Sequence, residues 1–370
     1  MTEKRFQIGD LCRMEKGISP TLKTPPGPYP LVVTADFRRS ADTWQIDGPA
    51  VCVPLVSSTG HGDAALHRVH YQDGKFALAN LLVALIPTDA RFCDAKYLYH
   101  LLMARKDELL VPLMQGTANV SLKEKDIAKV EISLPTLDQQ RRIVARIDTV
   151  ATQIEEARTL QREVADELDA LVISNHMRLS ERRERRLSEI LQLDEDAVQI
   201  DRKAEYPQVG IRSFGGGLFP KPPVAGNETT YRTFNRLFAG AVVLSQVKGW
   251  EGAIAICPES LAGWFASPEY RTFRCIDGEA VPSYLNRLVR TQWFWSKLAE
   301  ATRGVGARRE RTRPEQFLNV KMLMPTGQAQ EIGAEVMAKI GEAERLRAKC
   351  AIELNALLPS VISRVFAEEL

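Results

Sequence analysis

The chain lacks an apolar run of about 18 residues, and its opening Met-Thr-Glu-Lys-Arg-Phe lacks an apolar core, so neither a membrane span nor a secretory signal is expected. The expected location is the cytoplasm. Cysteine is sparse and scattered: Cys12, Cys52, Cys93, Cys257, Cys275 and Cys350 form no C-x-x-C pair, which argues against a zinc ribbon or a disulfide framework and for buried thiols. No G-x-x-x-x-G-K-[ST] occurs, so ATP hydrolysis is not expected. Aromatic residues make up only 7% of the chain, and the tryptophans and most phenylalanines are expected in the core rather than stacked on bases. A net charge of +2 does not by itself announce a nucleic-acid binder.

What the chain does have is a repeat. Gly116-Thr117-Ala118-Asn119, Leu134-Pro135 and Gln139-Gln140 precede an apolar helical pattern from Ile143 and Ile147. Gly304-Val305-Gly306, Met324-Pro325 and Gln330 precede another, from Ile332, Val336 and Ile340. Pro135 and Pro325, like Gln140 and Gln330, stand 190 residues apart. That period is far too long for a solenoid, so each copy should be a whole domain followed by a long helix. Tyr97-Leu98 and Tyr284-Leu285 extend the echo upstream, as do Tyr29-Pro30 and Tyr206-Pro207, while the loops between them differ. Unlike loops on a repeated frame suit two recognition modules of different specificity.

Each domain reads as mixed α and β. Leu31–Thr34, Val51–Leu55 and Leu81–Leu85 are strand candidates in the first, followed by a helix from 94 to 106 with Asp94 as its cap. Tyr206–Arg212, Gly240–Val247 and Ala253–Cys257 are strand candidates in the second, with one helix from Val281 to Ala301. Residues 136–186 contain neither Gly nor Pro. They carry Ile143, Ile147, Val150, Ile154, Ala157, Val164, Leu168 and Leu171 at heptad spacing, which predicts one long helix needing cover along its length. The cover is expected from Ile332, Val336, Ile340, Ala343, Arg347, Cys350, Leu354, Leu357, Val361 and Val365, with Pro359 bending the last turns. The predicted class is therefore α+β: two α/β domains separated by two long antiparallel coiled-coil helices, with a pseudo-twofold internal repeat. The boundaries are 1–135, 136–186, 187–325 and 326–370.

Catalytic patterns are missing. Ser213-Phe214-Gly215-Gly216-Gly217 and Pro222-Pro223 superficially resemble parts of a methyl-donor site and an amino-methyltransferase motif, but Lys221 and Val224 stand where a base-gripping side chain and an aromatic ring would be needed. His61, Asp63, His67 and His70 read as a solvated loop rather than a metal site. From Arg303 to Arg313 there are five arginines and one glutamate, more positive charge than the whole chain's net +2, and a loop of this kind can neutralise phosphates.

Phe6-Gln-Ile-Gly-Asp-Leu-Cys12 with Lys16-Gly17 and Tyr29-Pro30 resembles the opening of a target recognition domain of the type I restriction-modification specificity subunit. Tyr206–Phe219, Gly252–Ala255 and Arg303–Arg309 look similar to another. Leu134–Ile143 and Leu357–Phe366 are similar to the start of that family's conserved helix and to its closing segment. The resemblance runs over essentially the whole chain, although Gly327-Gln-Ala-Gln330 replaces Leu137-Asp-Gln-Gln140 in the second copy. It implies a non-catalytic subunit that holds no cofactor or metal itself and binds double-stranded DNA at a bipartite site. It also implies docking of two DNA-methyltransferase (modification) subunits bearing S-adenosylmethionine, with a restriction (motor-nuclease) subunit as a further partner. A helix of about 40 residues spans roughly 60 Å, enough to separate two major-groove contacts about one helical turn apart.

On that reading the DNA-contact candidates are Arg38, Arg39, Lys123 and Lys125 in the first half. In the second they are Arg212, Gly215, Gly216, Lys221, Arg303, Arg308, Arg309, Arg311 and Arg313, the glycines allowing a phosphate to come close. The helix and partner candidates are Ile143, Ile147, Val150, Ile154, Leu168, Leu171, Val336, Ile340, Leu354 and Val361. The rival is a coiled-coil adaptor that binds only proteins, which predicts no salt-sensitive DNA affinity.

Overall fold

The computed structural model describes residues 4–59, 62–117, 119–302 and 311–367. Two compact units emerge, Met1–Arg158 with Ala351–Leu370, and Thr159–Cys350. Both mix helix and sheet.

In the first unit Lys4–Gln7 pairs antiparallel with Glu131–Leu134. A four-stranded sheet runs in the order Cys12–Lys16, Leu82–Pro87, Ala50–Pro54, His70–Gln72, and a second in the order Arg38–Ala41, Tyr29–Val32, Lys75–Leu78, Ile46–Asp47. Alternation along the strands divides the core. Val51, Val53, Val83 and Leu85 face Leu98 and Leu102 of the helix Ala95–Leu109, while Ala50, Cys52, Leu82 and Ala84 face Leu31, Val32 and Phe76 of the second sheet. Ala50–Pro54 is buried throughout because both of its faces are covered. Asp94 caps the helix as expected, accepting from the N–H groups of Lys96 and Tyr97.

The second unit repeats this topology. Glu184–Arg186 pairs with Lys321–Leu323, one sheet runs Leu191–Leu193, Tyr270–Cys275, Val242–Ser245, Ile254–Ile256, and the other runs Gly217–Ala225, Glu205–Arg212, Phe265–Ala266, Thr233–Arg236. The strand pair Glu205–Arg212 with Phe265–Ala266 is parallel, as is its counterpart Tyr29–Val32 with Lys75–Leu78. An added edge strand, Ala197–Gln199, and a longer hairpin distinguish this copy.

The repeat is sharpest where each long helix begins. Gln140 is fully buried, donating through Nε2 to the carbonyls of Phe92 (2.9 Å) and Pro135 (3.0 Å) and accepting from the Asp94 N–H (2.9 Å). Gln330, equally buried, donates to the carbonyls of Glu279 and Pro325 (both 3.0 Å) and accepts from the Val281 N–H (3.0 Å). One amide thus ties three chain segments by groups that could not otherwise be satisfied in the interior.

The helices themselves are Leu137–Ser180 and Gly327–Ala367. In the first unit Ile143, Val144 and Ile147 share a core with Leu358, Ile362, Val365 and Phe366. In the second, Leu168, Val172 and Leu179 share one with Ala334, Met337 and Ile340. Strict heptad spacing fails partway along. Val164 and Leu171 turn outward, 43% and 48% exposed, and burial passes to Leu168, Val172 and His176; in the other helix Ile332, Cys350 and Leu357 are exposed while Gly333, Met337 and Leu358 turn inward. A straight helix drifts by about 20° per heptad relative to a 3.5-residue repeat, so over several heptads the inward face moves to the next residue.

Other expectations need correction. The first helix stops at Ser180, where Glu181 and Arg182 adopt left-handed φ values of 47° and 60° without a glycine, and the strand Glu184–Arg186 follows. The helix expected from Val281 to Ala301 is two, Pro282–Leu288 and Gln292–Thr302. Thr291 forms the break, its hydroxyl donating to the Leu288 carbonyl and accepting from the Phe294 N–H. Pro359, where a bend is expected, lies within the helix Gly327–Ala367. None of the tryptophans is fully buried, and Phe37, Phe92 and Phe214 are exposed, because the cores are filled mainly by aliphatic residues. The helix Gly327–Ala367 also contains an 18-residue window of mean hydropathy 1.4, long and apolar enough by length and composition alone to cross a membrane.

At the far ends of the helices the copies diverge. Phe366 packs its ring on buried Tyr97 at 5.4 Å in the first unit. In the second, His176 stands 190 residues before Phe366 and takes the place of its ring. Its Nε2–H donates to the Leu323 carbonyl (2.9 Å), leaving Nδ1 to accept from the Tyr284 hydroxyl (2.8 Å). Burial pushes the His176 pKa down to about 4.

Replacing Gln330 with Ala would strand two carbonyls and an N–H, and should cost the second unit about 2–4 kcal/mol in urea unfolding. An equal loss is expected for Gln140→Ala in the first unit. Acid should add a second signature, since unfolded histidine binds its proton near pH 6.5 but folded His176 only near 4. The stability it supports is complete above pH 6.5 and falls as pH drops through that window, and urea titrations of His176→Phe should show a shallower decline from pH 6.5 to 4 than the parent.

Candidate nucleic-acid interface

Surface loops held by short hydrogen-bonded closures bring the predicted contact residues to the edges of the sheets. In the first unit the chain between Pro54 and His70 folds back on Ser57, whose hydroxyl donates to the Asp63 carbonyl (2.6 Å) and accepts from the Ala65 N–H (3.2 Å). This loop is joined to the glycine tract, the Ser57 N–H donating to the Val120 carbonyl (3.0 Å). Gln115 and Ser121 close the tract by exchanging main-chain bonds of 2.8 and 2.9 Å. Gly116 lies at φ +132°, and a Cβ there would sit 2.4 Å from the Asn119 carbonyl oxygen, so only glycine fits. Lys123 follows, reaching the Gln115 side chain at 3.4 Å, and exposed Lys125 begins the next helical turn.

Arg38 departs from expectation. Its guanidinium donates to Gln72 Oε1 (3.0 Å) and the Tyr71 carbonyl (3.2 Å) and lies 3.4 Å from His70 Nδ1, so it ties two strands together instead of facing a ligand. Neighbouring Arg39 is exposed. His70 is likewise no part of a solvated loop: it is 5% exposed, its pKa lowered to about 4 by burial and then by Arg38 and Arg68. Among the described residues no three His, Cys, Asp or Glu side chains gather as metal ligands do.

In the second unit the glycine tract is the turn of the hairpin Glu205–Arg212/Gly217–Ala225. Phe214, Gly215 and Gly217 all take positive φ, and the Phe214 N–H donates to the Glu251 carbonyl at 2.8 Å. Gly215 and Gly216, expected to let a phosphate come close, are packed on the side a side chain would occupy: a Cβ on Gly215 would meet the Arg290 carbonyl at 2.7 Å and Trp295 at 2.9 Å, and one on Gly216 would meet Arg212 at 2.7 Å. Arg212 lies over the Phe219 ring at 4.4 Å, its head exposed, and Lys221 is exposed farther along the hairpin. The segment around Arg311 joins the neighbouring loop after Val242–Ser245, which also holds this turn through Glu251, since the Thr312 N–H donates to the Gln246 carbonyl (2.8 Å). Arg311 pairs with Glu269 at 2.9 Å, and exposed Arg313 opens the helix Pro314–Asn319. Arg303, Arg308 and Arg309, with Gly304, Gly306 and His61, lie outside the described residues.

Sequence reasoning missed Phe214 and Trp250, which are exposed beside one another at this turn and share a small apolar cleft with Trp295. The glycines beside Phe214 were the available signal. A phenylalanine at φ 57° within a glycine turn is held against its own backbone preference.

Comparison with known proteins adds the decisive observation: residues 2–164 match the family described as the type I restriction modification DNA specificity domain. That stretch is similar to the DNA specificity domain of this family. Its match spans the strands, the Ala95–Leu109 helix and the start of the first long helix. No curated protein matches the chain. Among solved structures, the HsdS subunit from Thermoanaerobacter tengcongensis is 15% identical, with 99% of this chain and 97% of that one covered at a TM-score of 0.50. A chain from a structure describing complex assembly and conformational transition of the type I R-M system is 16% identical, with 98% and 97% covered at a TM-score of 0.60. At such identities the likeness is one of fold, and it extends past the specificity domain through the second unit.

Gly116→Ala should force the loop of the specificity domain open, a local cost of about 1–3 kcal/mol. Hydrogen exchange would register it as faster exchange at the Gln115 and Ser121 amides, with the amides of the strand Ala50–Pro54 unchanged.

Proposed function

We propose that this chain is the sequence-specific DNA-binding specificity subunit of a type I restriction-modification complex, each unit reading one half of a bipartite site. The match of residues 2–164 to the DNA specificity domain carries the reading, and the strand-by-strand repetition of that topology in the second unit extends it to both halves. Residues 1–135 and 187–325 are the two target recognition domains, and the segments 136–186 and 326–370 contain the spacer helices Leu137–Ser180 and Gly327–Ala367. The helices pack antiparallel, a reading supported by the joining of each helix's start to the other's end within a unit's core.

The chain works without catalysis of its own in the cytoplasm. S-adenosylmethionine resides in two modification subunits docked on the helices, and a restriction subunit can join them. Exposed Leu346, Ile352 and Leu357 on the second helix supply apolar surface for such docking. The protein-only adaptor is disfavoured, because it gives no reason for a DNA specificity domain.

Exchanging residues 187–325 for the matching domain of a relative tests the reading in the assembled complex. Mapping of methylated positions should show one half of the recognised sequence changed, with the other half and the spacing kept. A swap that altered both halves together would overturn independent reading.

A further inference from the structure

The second unit contains a cavity of about 830 Å³ beside the hairpin turn, walled by Arg287, Arg290, Arg345 and Arg347 against only two carboxylates, Asp169 and Glu344, among its described lining residues. Both carboxylates are committed. Arg287, deeply buried, bonds to Asp169 Oδ1 at 2.6 Å and to Glu344 Oε1. The other three guanidiniums make no hydrogen bond or close ion pair among the described residues; Glu344 acts on Arg290 and Arg347 only at longer range, and each of those two holds a buried Nε–H without an acceptor. Buried donors left unpaired are costly, about 1–3 kcal/mol each, and they converge here on a concave space.

The internal repeat shows that the frame does not require these cations. Arg287 and Arg290 correspond to His100 and Met103, on the 187-residue offset that also relates Tyr97 to Tyr284 and Phe92 to Glu279. Arg345 and Arg347 correspond to Glu155 and Ala157, on the 190-residue offset that relates Gln140 to Gln330. The first unit folds with one acidic and two uncharged residues where the second has its three unpaired arginines. Their charge therefore serves something other than the common fold.

We propose that this cavity is a phosphate-binding site in which Arg290, Arg345 and Arg347 hold a phosphodiester of the DNA backbone, a contact made by the second unit and not by the first. The proposal rests on the DNA-reading function above. Guanidiniums donate and never accept, which suits a group made only of acceptors. The two anionic oxygens of a phosphodiester, splayed tetrahedrally with lone pairs to spare, can accept from several guanidiniums that approach from different directions. The exposed Phe214 ring at the cavity's edge gives the adjoining sugar or base an apolar surface.

The test uses the full-length chain, its Arg345→Ala/Arg347→Ala variant and the Arg345→Lys/Arg347→Lys variant. Neither arginine has an internal ion pair, so folding should survive. Inorganic phosphate, titrated at constant ionic strength against chloride, should quench or shift the fluorescence of Trp295 on the cavity wall saturably in the parent, more weakly in the lysine variant and not at all in the alanine variant. Duplex DNA binding measured against salt should lose up to about 1.8 from its log–log slope in the alanine variant, about 0.9 per lost contact. A phosphate response with unchanged slopes would overturn the DNA assignment and leave a free-phosphate site. Equal slopes with no phosphate response would overturn the site while the DNA-reading function stands, and a parent that bound no duplex would overturn that function together with the site's DNA assignment.

Discussion

Everything in this molecule that repeats is anchored by one buried amide per copy. A long helix attached to a sheet domain only through its first residue would swing, because one peptide linkage leaves two soft dihedrals free. Gln140 and Gln330 remove that freedom by bonding simultaneously to the segment before the helix and to the turn before an earlier helix, about 50 residues back in each case. Glutamine suits the position because its amide both donates and accepts, and the three main-chain groups it meets are two carbonyls and one N–H. Glutamate could not serve both carbonyls while ionised, and leucine could serve none of the three. The direction in which each helix leaves its domain is thus fixed by chemistry local to the domain, before the helix meets its partner.

That geometry explains why the repeat could be read from sequence while much of the rest could not. Pro135 with Gln140, and Pro325 with Gln330, survive in both copies because each takes part in the same closure. Along the first helix the heptad spacing holds near the anchor, where Ile147 and Ile154 are 1% and 3% exposed, and gives way with distance as angular drift accumulates; in the second it already misses at Ile332, where Gly333 turns inward instead. Thr291 illustrates another limit: a threonine in a run of helix-compatible residues says nothing about a break until its hydroxyl is seen bonded on both sides. Site residues were harder still. Charge and loop position point alike to Arg39 and Lys221, which are exposed, and to Arg38, which is bonded to Gln72 and Tyr71, and only tertiary structure separates them.

Divergence between the copies is concentrated at polar positions near the helix ends. Phe366 and His176 occupy equivalent places against Tyr97 and Tyr284, one by ring contact alone and the other by a hydrogen-bonded chain through Tyr284 and Leu323. His100 and Arg287 are likewise equivalent. In the first unit the imidazole is buried without a partner and pushed down to about 4 by desolvation, so it stays neutral. In the second the guanidinium is ion-paired with Asp169 and Glu344. The same backbone thus holds a neutral core in one copy and an ion-paired one in the other. Pairing is what makes the second tolerable, since a guanidinium buried alone would carry an uncompensated desolvation cost.

On the proposed reading, the contrast bears on how two similar domains would come to read different sequences. A frame whose strand order, helix anchor and aromatic core are shared fixes where loops emerge but not what they carry. In the first unit the closure between Gln115 and Ser121 presents a compact tract with lysines beside it; in the second, a long hairpin packs its turn on Trp295 and leaves Phe214 in solvent. Backbone-contacting cations set register and base-facing groups set sequence, so a subunit of this design can change its target by altering loops without disturbing the anchors. The buried glutamines make that division possible: the costly hydrogen-bond geometry lies in buried segments at the helix starts, and the loops are left to vary.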